Sequence, residues 1–258
     1  MPYLYYAGGD YMGLFSKKSE TKYIDFINDN TFENKVIEKQ LSLRKEIVSE
    51  EVKKQKLSVS VSRVVFALEH SETIKSMYIS GEVQRILERI MPVAMCLDDN
   101  DEMEFYIFDE KCRKMPSVNM KNINDYVNKV LVKSEIEYGK TCYAPAISKI
   151  FHDEKKYRKI PTFVIFITNG GNIDKEDTEK LIRKASKYNI FWKFVGIGSQ
   201  DFSFLQKLDD LEGRAVNNAD FISIGDMNMI SDIELYSKLL VEYRQWLELC
   251  TENGIKAG

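Results

Sequence analysis

The chain has 258 residues, 44% hydrophobic and 30% charged, enough apolar material for one large α/β domain or two small ones. Its 37 basic and 40 acidic side chains leave a net charge of −3, which excludes the broad positive footprint of a nucleic-acid binder. No apolar run is long enough to span a membrane and no basic-then-apolar opening suggests a signal peptide, so a cytoplasmic protein without direct membrane insertion is expected.

The first residues, "MPYLYYAGGDYMGLFSKKSE", carry aromatics, a glycine pair and a second methionine at Met12, but no periodic apolar face. Residues 1–30 are therefore expected to form a tail packed loosely on the rest, or to reflect a start codon read too early. Residues 31–57 follow as a helical extension. Val36, Ile37, Leu41, Ile47, Val48 and Val52 recur near helical spacing, most securely over 43–56, and one apolar stripe suffices to pack such a helix on its own domain.

Residues 58–258 are expected to form a single domain in which strands and helices alternate. "RVVFAL", "PTFVIFIT" and "FWKFVGIG" are apolar, largely β-branched or aromatic runs, the pattern of parallel strands buried on both faces. "EFYIFD" and "FISIGD" read as further strands, and "SVNM" as a short edge strand. Between them, "GEVQRILERIMPVAMCL", "INDYVNKVLVK", "DKEDTEKLIRKASKY" and "SDIELYSKLLVEYRQWLELC" read as helices. The last is capped by Ser231, and "YAPAISKIFHDE" reads as a further helix with Pro145 in its first turn. This order predicts a doubly wound, mainly parallel sheet of about six strands flanked by helices.

In such sheets ligands gather beyond the carboxyl ends of the strands. The loops there are "EHSET" after the first strand, "NGGNID" after "FVIFIT", and "YGKTCYAP" before a helix. They bring Glu69, Ser71, Thr73, Thr141, Thr168 and Asn169 to one edge. His70 alternates out of phase with Glu69 and Ser71 and reads as a solvated or cap-bonding side chain. Asp98, Asp99 and Asp101 lack the spacing of a calcium loop, and "NGGN" lacks the spacing of a phosphate loop. Cys96, Cys112, Cys142 and Cys250 lack zinc or redox spacing and read as reduced thiols, with Cys96 in the core.

These residues, with "RVVFALEHSETIKSMYISGEVQRILERIMPVAMCLDDNDEMEFYIF", "TCYAPAI", "FVIFITNGGNID", "FLQKLDDL" and the closing helix, resemble a von Willebrand factor A domain over residues 60–249. The similarity is closest to the branch found in bacterial tellurium-resistance (Ter) operons. The resemblance implies a Rossmann-like fold and a metal-ion-dependent adhesion site. Its pattern places Glu69, Ser71, Thr73, Thr141 and Asn169 at the metal positions, with Glu69 and Asn169 where the family has aspartates. It implies a non-enzymatic protein-interaction domain in a bacterial chemical-stress response, with Ter-type proteins as partners. Mg²⁺ is exacting in geometry and gives up water reluctantly, so the two changes point to a degenerate site that holds a divalent cation (Mg²⁺ or Ca²⁺) weakly or not at all. Glu72 and Asp174 stand near enough in sequence to add charge. The rival reading is a metal-dependent phosphoesterase or nucleotide-binding protein working from Glu69 at the same edge.

Overall fold

The computed structural model describes residues 30–57, 62–98, 100–157 and 160–255. Of the tail expected over residues 1–30, all but Asn30, which opens a helix, lies outside them. Helix α1 is Asn30–Lys54, longer than its apolar stripe suggested. Residues from Glu38 onward form one compact unit, in which α1 buries Leu41 and Val48.

Three charge-poor runs make the centre of the sheet. They are β1 (Arg63–Glu69), β4 (Thr162–Thr168) and β5 (Ile190–Ile197), and they are buried almost throughout. With β2 (Met103–Phe108), β3 (Cys112–Val118) and β6 (Ala219–Ile224) they form a six-stranded sheet in the order β3-β2-β1-β4-β5-β6. All neighbours are parallel except β2 and β3, which form an antiparallel hairpin at one edge. The helices are α2 (Lys75–Ile79), α3 (Glu82–Leu97), α4 (Ala144–Glu154), α5 (Lys175–Ala185), α6 (Ser203–Asp209) and α7 (Asp232–Glu252). On one face Val65, Ala67, Val164, Phe166, Trp192 and Phe194 pack with residues of α4, α5 and α6. On the other, Phe163 and Phe191 stack against Tyr243 and Trp246 of α7. The Ser231 hydroxyl accepts the Glu234 amide at 3.2 Å and so caps α7.

Four expectations are corrected. The edge strand runs Cys112–Val118, starting earlier than expected and sharing only Ser117 and Val118 with "SVNM". Its Arg113 and Lys114 hide the alternation, and Pro116, which has no N–H to donate, is tolerated because this is an edge. The segment "INDYVNKVLVK" forms a π turn, Val127–Leu131, and a 3₁₀ turn, Val132–Ser134, in place of an α-helix. The Gln84 side chain takes the Val127 amide at 3.0 Å and buried Tyr126 bonds the Pro116 carbonyl, so tertiary anchors set this backbone. Cys96 is only half-buried, beside Ser49 on α1. His70 is buried, not solvated: its Nε2 bonds the Ile136 carbonyl at 3.1 Å and its ring stacks on Tyr138.

The sheet also buries a charge that the sequence pattern conceals. Lys193, in the middle of β5, is fully buried and pairs with Asp220 of β6. Close by, at the end of α6, burial pushes the Asp209 carboxyl up to about 6, with the Asp220 charge adding to the shift. A carboxyl raised in the folded state stabilises it below the unfolded value near pH 4 and loses that contribution as pH rises through about 6. Asp209→Asn keeps an acceptor but removes the titration. Its gain in urea midpoint over the wild type should therefore be larger at pH 8 than at pH 4. Equal shifts at both pH values would show that Asp209 ionises freely.

Candidate functional site

The site is built at the carboxyl edge of β1 and β4. β1 ends on Glu69, whose side chain is fully buried. The chain then turns through residues 70–74, where the Ser71 hydroxyl accepts the Thr73 amide at 3.3 Å and tightens the turn. A bridge between Ser71 and Gly139 ties this turn to the segment that carries Thr141. Glycine is required at that approach: a Cβ on Gly139 would lie 2.9 Å from Cβ of Asp109. β4 ends on Thr168, and the backbone leaves through Asn169 and two glycines at positive φ, Gly170 and Gly171.

All five residues expected at the site come into one hydrogen-bonded ring. Glu69 Oε1 accepts the hydroxyls of Ser71 and of Thr141, the latter at 2.7 Å. Glu69 Oε2 accepts the Thr168 hydroxyl and, at 3.1 Å, the Asn169 backbone amide. Thr73 has a single proton to share among Glu69 Oε1 at 3.1 Å, Ser71 Oγ at 2.7 Å and Asn169 Oδ1 at 3.0 Å. A carboxylate offers roughly four lone-pair positions, and four full bonds with a share of a fifth occupy them. Asn169 closes the ring by donating its Nδ2 to the Thr73 carbonyl at 2.9 Å.

The two acids that might have added charge are engaged elsewhere. Glu72 is exposed and pairs with Lys75 at 3.4 Å. Asp174 accepts the backbone amides of Tyr143 at 3.0 Å and Ala144 at 2.7 Å, so it caps the start of α4. Among the described residues no group of three or more Asp, Glu, His or Cys converges on one point. His70 faces the Tyr78–Tyr138 side and takes no part in the ring.

The five metal positions implied by the resemblance leave out part of the ring. Thr168 is the last residue of a buried strand and belongs beside Glu69 by register, a signal readable from the strand alone. Tyr143, whose hydroxyl lies 3.0 Å from Thr168, and the Asn169 backbone amide carry no such signal. Outside the ring, a cavity of about 330 Å³ is lined by Thr73, Tyr143, Asn169, Gly170, Lys175 and Phe204. The four most exposed large apolar side chains among the described residues also lie along this edge: Met229 (82%), Ile79 (79%), Ile173 (71%) and Ile233 (63%).

A central parallel sheet with one antiparallel edge hairpin, helices on both faces and a hydroxyl-rich ring at the carboxyl ends define a von Willebrand factor A-type α/β domain. The chain belongs to the vWA-TerF-like family, whose model, described as the vWA found in the TerF C terminus, matches residues 61–256. An uncharacterized protein of Bacillus subtilis (strain 168), YcbR, is 32% identical over 222 residues, covering 83% of this chain and 89% of its own length. Among solved structures, a von Willebrand factor type A protein from Catenulispora acidiphila superposes with a TM-score of 0.51 at 13% identity, over 72% of this chain and 43% of the other. Proximal thread matrix protein 1 of the mussel byssus, solved with a zinc-occupied MIDAS motif, gives a TM-score of 0.51 at 15% identity, over 70% and 46%. The chain thus spans less than half the length of these solved chains, and at such identities they share its fold. No helix among the described residues is long and apolar enough to cross a membrane.

Proposed function

We propose that this protein is a non-enzymatic interaction module of a bacterial Ter-type chemical-stress system, and that its adhesion site is degenerate. The family it belongs to and the frequent use of von Willebrand A domains in protein interactions support the first part. One observation carries the second: both oxygens of Glu69 are taken up by hydroxyl and amide donors of the chain itself. The ring does not fit a resident divalent cation. It offers one formal charge, its carboxylate has no lone pair to spare, and site affinity depends on both charge count and free oxygens. Glu69, Ser71, Thr73, Thr141 and Asn169 act on this reading as a lock between loops. The partner, a Ter-type or other protein, docks on the apolar side chains around them. The same burial weighs against the phosphoesterase reading, since a general base must reach the proton it abstracts.

Titration with Mn²⁺ tests this directly. Wild type should bind weakly or not at all. Glu69→Asp with Asn169→Asp shortens the carboxylate, frees an oxygen and adds a charge, and should raise affinity by about ten-fold or more. Capture of one and the same partner should be unaffected by EDTA and lost in Ile173→Asp with Met229→Asp. Tight Mn²⁺ binding by wild type, or capture abolished by EDTA, would overturn the degenerate-site reading.

A further inference from the structure

Apart from the Glu69 ring, a cleft of about 480 Å³ opens between α1, α3 and the β6–α7 loop. Three arginines line it. Arg89 is buried and spends its guanidinium on the carbonyls of Met227 and Ile230 and, at 2.8 Å, on Asp232 Oδ1. Arg44 takes the other oxygen of Asp232 at 3.1 Å. One carboxylate thus serves two guanidiniums. Arg85 bonds neutral oxygens, Asn228 Oδ1 and the Ser80 carbonyl, each at 3.3 Å. Glu88 also lines the cleft, but its carboxylate accepts from the Gln84 amide at 2.8 Å. The cleft therefore holds more guanidinium than its own carboxylates pair. Arg89 acts as a fixed floor; Arg44, whose Nη1 also reaches the Glu88 carbonyl at 3.5 Å, is 20% exposed, and Arg85 is exposed.

Apolar side chains flank these groups on the same elements, outside the cleft's own lining. Leu43 precedes Arg44 on α1, Met229 follows Asn228 in the loop, and Ile233 follows Asp232 on α7. All three are more than half exposed. A surplus of guanidinium between exposed apolar side chains is complementary to carboxylates interleaved with apolar residues. A nucleic-acid backbone fits less well, because its phosphates follow one another without apolar side chains to set beside the charge.

We propose that this cleft is a docking site for an acidic peptide segment of a protein partner, with carboxylates on Arg44 and Arg85 and apolar side chains on Leu43, Met229 and Ile233. The proposal rests on the docking role given to this domain, and it stands whether or not the Glu69 ring can hold a cation.

The test is fluorescence anisotropy of a labelled short peptide alternating Glu and Leu, titrated with the full chain at low salt. Binding should weaken about two- to thirty-fold in Arg44→Gln with Arg85→Gln, the worth of two partly exposed ion pairs. It should fall likewise when Gln replaces Glu in the peptide. Arg85→Gln alone, an exposed position, should give a smaller loss with an unchanged thermal melt, which separates lost contacts from a damaged fold. Equal binding of the Gln peptide, no effect of the arginine variants, displacement by inorganic phosphate at matched ionic strength, or tighter binding of single-stranded DNA would each overturn the assignment. Ile173→Asp lies outside the cleft and should leave the peptide bound. If that variant alone abolishes binding, the cleft is not the site but the docking role of the carboxyl edge survives.

Discussion

Glu69→Ala should lower the melting temperature by about 6–20 °C. The substitution strands the hydroxyls of Ser71, Thr141 and Thr168 and the Asn169 amide in the interior. Hydrogen bonds to a charged group contribute about 1.5–3 kcal/mol each, so the upper limit is large. Part of it is recovered, because the hydroxyls can turn to one another. Ser71 and Thr73 already lie 2.7 Å apart, and Thr168 lies 3.0 Å from Tyr143. A net loss of about 3–5 kcal/mol remains, and a domain of this size shifts by about 2–4 °C per kcal/mol. Glu69→Gln should fall between, since its amide nitrogen meets a donor at one of the two oxygen positions. A melt unchanged in Glu69→Ala would mean that the ring stabilises nothing and only marks the edge.

The second large effect lies in the sheet. Asp220→Ala leaves the Lys193 ammonium in β5 without its carboxylate and should cost about 3–5 kcal/mol, the usual penalty for breaking a buried pair from one side. Burial already pushes the Lys193 ammonium down, against the pull of Asp220. A depressed lysine stabilises the fold in its neutral form, so the damage should be greatest at low pH and should shrink as pH rises past the folded value. Replacing both members, Lys193→Met with Asp220→Val, should be close to neutral, because the desolvation cost of two charges disappears with their attraction. Urea denaturation of the three chains at pH 7 and pH 9.5 decides it. A double variant as unstable as the single one would show that the pair contributes more than mutual compensation.

Much of this architecture is legible in the residues. The runs "RVVFAL", "FVIFIT" and "FWKFVGI" mark the buried strands because almost nothing in them tolerates water. The interruption in the third, Lys193, gives no warning that it faces inward, since its partner is 27 residues away. The edge strand and the π turn were misread for a related reason: Pro116, Arg113 and the Gln84 contact act through neighbours that no local pattern encodes. At the site, strand order alone brings the hydroxyl loops together. Whether an oxygen is aimed at a cation or spends its proton on a carboxylate is set by a single methylene in Glu69 and by backbone direction, neither of which spacing records.

The bond from the Asn169 amide to the Glu69 carboxylate spans 100 residues of chain, and the one from Thr141 spans 72. A ribosome therefore releases β1, its turn and the Thr141 segment well before β4 can close the ring. No amino-terminal fragment that stops short of residue 169 can contain the completed edge. The ring therefore closes only in chains that have already laid down β1, β2, β3 and β4, while β5 and β6 are still to follow.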